Sequence, residues 1–113
     1  MKRFSILLFA TFITGFFTVS AQKIFKTDYE YQADISVYVV EHEYQADLLV
    51  YPVKYSYQAK GNNGLWFFCE HSYQADKKVY FVAHEYQADL KVKFVDQQYK
   101  AGWRNDKKKV LME

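Results

Sequence analysis

The stretch Tyr44-Gln45-Ala46-Asp47-Leu48-Leu49-Val50-Tyr51-Pro52-Val53 decides the fold, because the chain repeats it. Tyr-Gln-Ala-Asp recurs at Tyr31 to Asp34, Tyr73 to Asp76 and Tyr86 to Asp89. Degenerate copies stand at Tyr57-Gln58-Ala59-Lys60 and Tyr99-Lys100-Ala101-Gly102. The leading tyrosines are spaced 13, 13, 16, 13 and 13 residues apart. A half-unit, Ile24 to Glu30, aligns on Val37 to Glu43. The array is thus three units, a three-residue insertion and three more units. The insertion falls near Gly61-Asn62-Asn63-Gly64, the most turn-like stretch of the array.

Each unit reads as one strand and one connection. In the second, Tyr44, Ala46, Leu48, Val50 and Pro52 share one parity, against Gln45, Asp47, Leu49, Tyr51 and Val53. Tyr31, Ala33, Ile35, Val37 and Val39 repeat the pattern, as do Tyr86, Ala88, Leu90, Val92 and Phe94. This is the period-two alternation of strands, and the first-named parity is expected to face the core. Trp66 and Phe68 take the same places after the insertion. Lys77 breaks the pattern, so its strand is expected to start late. Helix is disfavoured by runs such as Val37-Tyr38-Val39-Val40, whose β-branched and aromatic side chains lose rotamer freedom there. Thirteen residues are also too few for a helical repeat, which needs about 33. The expectation is an all-β single small repeat domain, with short helical turns possible at Tyr-Gln-Ala-Asp.

Turn chemistry sharpens this. After Ala21 the chain has only Gly61, Gly64, Gly102 and Pro52 as turn formers, while two-residue hairpins favour Asn-Gly and its kin. Connections such as Glu41-His42-Glu43 and Ala83-His84-Glu85 offer nothing of the kind. A meander of hairpins is therefore disfavoured, and each strand is expected to pair with a sequence-distant neighbour.

Residues 1–21 read as an export signal: Lys2 and Arg3, an apolar run from Phe4 to Val19, then Val19-Ser20-Ala21 before Gln22. The run is shorter than the roughly 20 apolar residues of a bilayer span. No span is expected after Gln22, where charges recur every few residues, so the protein is expected in the periplasm or outside the cell. Removing the signal leaves 92 of 113 residues, with 13 basic against 13 acidic side chains. A balanced charge argues against nucleic acid as a partner, since phosphates need a cationic face. With Cys69 as the single cysteine, no intramolecular disulfide forms. The last residues, 106–113, read as a polar, frayed tail.

Tandem units built on Tyr-x-Ala-Asp, each followed by a strand like Leu90-Lys91-Val92-Lys93-Phe94-Val95, resemble the septoil-knot domain family. The ending Tyr99-Lys100-Ala101-Gly102-Trp103-Arg104-Asn105 is also similar to the close of that domain, and the likeness covers roughly residues 22–105. The resemblance implies a deeply knotted chain tracing a seven-crossing torus knot in two passes, and a domain of unknown function. Three units, an insertion and three units divide naturally into two such passes. Strands of the second pass lying between those of the first would account for the missing hairpin turns.

Candidate sites are few. Asp34, Asp47, Asp76 and Asp89 are expected to bond nearby backbone N–H groups; calcium, which takes six to eight oxygens, is the functional alternative. The motif residues Tyr31, Tyr44, Tyr73, Tyr86 and the closing Trp103 are read as structural. His42, His71 and His84 share one place in the repeat, which spreads them around a rim instead of converging them on zinc. Cys69 falls in a column with Val40, Val53, Val82 and Val95, as a buried thiol would; with His71 it is also the only hydrolase-like pair. Tyr38, Tyr51 and Tyr80, with Phe67, line the parity opposite the core. They form a second packing surface or, if exposed, an aromatic ladder for a glycan. Neither cofactor nor catalytic residues are expected. The sequence thus points to an exported structural or binding module, with an envelope glycan or a protein as partner.

Overall fold

The computed structural model describes residues 22–113, and the apolar leader read as an export signal lies outside the described residues. Each unit supplies one strand: β1 (Lys23–Lys26), β2 (Ile35–Val39), β3 (Leu48–Pro52), β4 (Leu65–Phe68), β5 (Lys77–Phe81) and β6 (Leu90–Phe94). A two-residue β7 (Gly102–Trp103) follows. The strands pair in the order β4-β1-β5-β2-β6-β3, and β3 pairs back onto β4, closing an all-parallel six-stranded barrel. Around the ring, β1, β2 and β3 alternate strictly with β4, β5 and β6. β7 lies antiparallel against β3.

Parallel neighbours normally need a crossover of about a dozen residues or more to carry the chain back to the starting end. Here most connections have eight residues. Stagger removes the return trip. Lys26, at the end of β1, is level with Val79 of β5, which is level with Ile35 at the start of β2. Val39 closes β2 level with Val92 and thus with Leu48, which opens β3. The chain leaves one strand at the height where the next begins. It has only to step over one strand, about 10 Å.

Steps of two exhaust the ring in three strands, and a fourth would land on the first. The insertion prevents this. The longer connection through Gly61–Gly64 makes a single step, so Tyr51 of β3 pairs directly with Leu65 of β4. Steps of two then resume, and the second pass fills the gaps of the first.

Ile24, Ile35, Val37, Leu48, Val50, Trp66, Val79, Leu90 and Val92 fill the barrel, with Phe68, Phe81, Phe94 and Trp103 packed against them. Within the strands this is the parity read from the sequence, except at the ends of β2 and β3, where Val39 and Pro52, expected in the core, are exposed. The repeat tyrosines do not share it: Tyr31, Tyr44, Tyr73 and Tyr86 are 81%, 72%, 82% and 84% exposed. Between each tyrosine and its strand lies the end of a 3-10 turn, such as Glu43–Gln45, and a period of two does not carry through a turn. Lys77 does not delay β5 either; it opens the strand beside Ile24 with its side chain half-buried.

The turns explain the scarcity of glycine. Their flanking residues, apart from Ala59, sit in extended conformations, and among the described residues positive φ occurs only at Gly61, Gly64 and Gly102. Gly64 is required, because a Cβ there would collide with the Leu49 carbonyl.

Residues 106–113 correct the expectation of a frayed tail. Asp106–Met112 forms a 3-10 helix whose Asn105 cap accepts from the Lys107 N–H at 3.2 Å. Met112 is buried in the core and its carbonyl accepts from Gln22 Nε2 at 3.0 Å. Asn62 of the insertion donates to the Lys109 carbonyl, and its own carbonyl accepts the Trp103 indole N–H at 2.8 Å. The one apolar side chain needed to fill the barrel end outweighs the polarity of its neighbours.

Candidate functional site

Each letter of the tetrapeptide has its own task. The glutamine closes the turn: Gln45, Gln58 and Gln74 accept, through Oε1, the N–H of the residue three before at 3.1, 3.0 and 3.3 Å. Alanine ends it, donating its N–H back to the first residue of the turn, as Ala46 does to Glu43 at 3.1 Å.

The aspartates reach much further than expected. Asp34 Oδ2 accepts the Lys78 N–H at 2.8 Å, while its own N–H donates to the Lys78 carbonyl at 2.7 Å. Asp47 clasps Lys91, Asp76 clasps Lys23 and Asp89 clasps Ser36 in the same two-point way. These partners are 44 or 53 residues away in the sequence. Each aspartate therefore fastens one pass to the other instead of bonding its own neighbourhood. The equivalent clasp on β3 would fall at Leu49, where Gly102 pairs and Gly64 makes its close approach. Among the described residues, no three His, Cys, Asp or Glu side chains gather as metal ligands.

The tyrosines face solvent and are stacked. His42 on Tyr44, Tyr55 on Tyr57, His71 on Tyr73 and His84 on Tyr86 lie with centroids 5.3–5.6 Å apart and planes within 10°. Tyr29 and Tyr31 make a more tilted pair at 5.7 Å. The histidines are thus ring partners on separate turns. Tyr38, Tyr51 and Tyr80 are half-buried, and the first two pack on the outer cluster of Val40, Ala46, Leu49 and Val95. The open aromatic surface belongs to the repeat tyrosines. The sequence reading missed it by extending strand parity through the turns; the two-residue spacing of rings in His42-x-Tyr44 was the available signal.

Cys69 is partly buried, and that burial raises its thiol pKa, with Lys23 lowering it and Asp76 raising it further. A raised pKa keeps it a thiol at neutral pH, the opposite of an activated nucleophile. It lines an open cleft of about 1020 Å³ with Lys23, Lys54, Ser56, Phe68, His71 and Tyr73.

The architecture defines a class: a closed β-barrel of tandem tetrapeptide units, wound in two interleaved passes. The chain belongs to the septoil knot domain family, whose model matches residues 21–104. No curated protein and no solved structure matches it.

Proposed function

We propose that this chain is an exported, non-catalytic binding module that holds a glycan on its outer turns. The observation that carries the reading is the set of repeat tyrosines, 68–84% exposed and regularly placed, on turns closed by backbone hydrogen bonds such as Gln45 N–H to the His42 carbonyl and Ala46 N–H to the Glu43 carbonyl. An exposed ring on a rigid support loses little entropy on binding and offers a flat apolar face beside a hydroxyl. Sugars present the matching surface, an apolar ring face rimmed by hydroxyls. Tyr44, Tyr57, Tyr73 and Tyr86 each have a second ring stacked behind, which fixes the orientation of the first. The positive start and short apolar run before Gln22 support export, and the charge balance supports a partner other than nucleic acid. The raised thiol pKa of Cys69 weighs against that residue as a nucleophile.

The test is retention of the purified protein on immobilised cell-envelope and extracellular polysaccharides. A variant with Tyr44, Tyr57, Tyr73 and Tyr86 all changed to Ala should keep its barrel by circular dichroism and lose retention. Equal retention of that variant, or none by the wild type, overturns the reading.

A further inference from the structure

The six turns are not equivalent, and their departures concentrate at one cleft. Three residues before the repeat tyrosine stand Asp28, Glu41, Glu70, Ala83 and Asp96; only the third connection puts a cation there, Lys54. One residue before the tyrosine, where three connections carry Glu30, Glu43 and Glu85, this one has Ser56; the next, across the same cleft, has Ser72, and the last has Gln98. Lys54 and Ser56 line the 1020 Å³ cleft between the turns Ser56–Gln58 and Ser72–Gln74, opposite the stacked His71–Tyr73 pair. Lys23, at the start of β1, supplies a second cation. Glu70 is the one carboxylate in the lining, and neither ammonium lies within salt-bridge distance of a carboxylate among the described residues.

A second, smaller cleft serves as an internal comparison. It too sets a stacked pair, His84 and Tyr86, beside two lysines. There both cations are engaged: Lys91 with Glu85 at 3.4 Å and Lys108 with Asp47 at 3.7 Å. Of these two clefts, the first alone combines a ring platform with cations left for a ligand.

We infer that the cleft of Lys23, Lys54, Ser56 and Tyr73 is the module's specific subsite and takes a carboxylate-bearing sugar. The inference rests on the glycan-binding reading above. The sugar's apolar face lies on Tyr73, and its carboxylate meets Lys54 and Lys23. The Ser56 hydroxyl and the Gln74 amide N–H₂, whose oxygen is already used by the His71 N–H at 3.3 Å, remain for hydroxyl groups. Two ammonium groups around one carboxylate make the contact charge-assisted and salt-sensitive.

The experiment titrates the full chain with a galacturonic-acid oligomer, a neutral galactose oligomer of equal length and a glutamate oligopeptide, by calorimetry. The acidic oligosaccharide should bind at least about tenfold more tightly than either comparator, since loss of one ring or ion contact near 1.4 kcal/mol is a factor of ten. Lys54→Glu, which restores the acidic residue class of four of the five other copies and should leave folding unchanged, should weaken it by about tenfold, as should Tyr73→Ala. Lys107→Glu, the same charge change at an exposed cation outside the cleft, should leave it unchanged. Equal binding of acidic and neutral oligomers, with dependence on the repeat tyrosines, overturns the subsite and keeps the module reading. Equal binding of the oligopeptide overturns the sugar assignment by reducing the site to charge. Absence of binding to either saccharide overturns both.

Discussion

Aspartate carries the fold at the residue scale, and its four copies are not of equal weight. Asp34, Asp76 and Asp89 are exposed, so the N–H each accepts turns to water when the carboxylate is removed. Asp47 is only 6% exposed, accepts from the Lys91 N–H and from Asn105 Nδ2 at 3.3 Å, and forms an ion pair with Lys108 Nζ, 3.7 Å away. Its carbonyl also receives the N–H groups of Arg104 and Asn105. Asp89→Ala should cost about 1 kcal/mol, the net worth of an exposed hydrogen bond, and Asp47→Ala about 2–3 kcal/mol, because buried donors are left unpaired. Urea midpoints of the two variants check the ranking; equal midpoints would show that the burial of Asp47 adds nothing. The sequence revealed that these aspartates matter structurally, since they recur without the glycines of a calcium loop. It did not reveal their partners, because a residue 44 positions away leaves no local pattern. The candidate site was less legible. Exposure of Tyr44 depends on a turn that ends between it and Leu48, whereas Tyr51 lies on the strand where alternation holds but a second cluster covers it.

At the scale of elements, the insertion is the part that converts six equal units into a barrel of two passes. Alternation made the strands legible, and the absence of turn formers excluded hairpins. The step of one between β3 and β4 was not legible, because it follows from stagger, and stagger is set by closure. Gly64 is where this geometry is most demanding: its φ is +91° and its missing Cβ makes room for the Leu49 carbonyl and the Gly102 N–H. Gly61 has a φ of +73°, but a Cβ there would make only ordinary contact with the Asn63 side chain, at 3.7 Å. Gly61→Ala should therefore cost only the backbone penalty, roughly 1–2 kcal/mol. Gly64→Ala adds displacement of β3 from the segment beside it and should cost at least about 3 kcal/mol, into the range that marks a structural collision. Thermal midpoints of the two variants, compared with wild type, measure the difference. A Gly64→Ala midpoint as high as that of Gly61→Ala would mean that β3 and β4 can separate at no cost.

For the whole molecule, the pairing scheme sets the kinetics. Every barrel strand has neighbours from the other pass, so neither half possesses a sheet of its own. Every barrel pairing except β3–β4 joins residues 44 or 53 apart in sequence, and both ends of the described residues are tied in: Gln22 bonds Met112, and Met112 sits in the core. Folding must bring distant strands together before any of them gains, which makes it slow. Unfolding is constrained in the same way, since a strand of one pass leaves only when both neighbours of the other release it. The seven-crossing path of the family, if this chain follows it, adds a threading step in each direction, and rates of this kind govern persistence more than equilibrium stability does. The expectation is single-exponential unfolding lasting minutes or longer in moderate guanidinium, with a half-life out of proportion to the equilibrium stability. Stopped-flow and manual-mixing fluorescence of Trp66 and Trp103 measure it. The fully buried Trp66 reports barrel opening, and Trp103, bonded to the insertion through Asn62, reports release of the C-terminal segment. Unfolding complete within seconds would show that interleaving imposes no barrier, and would count against a threaded path.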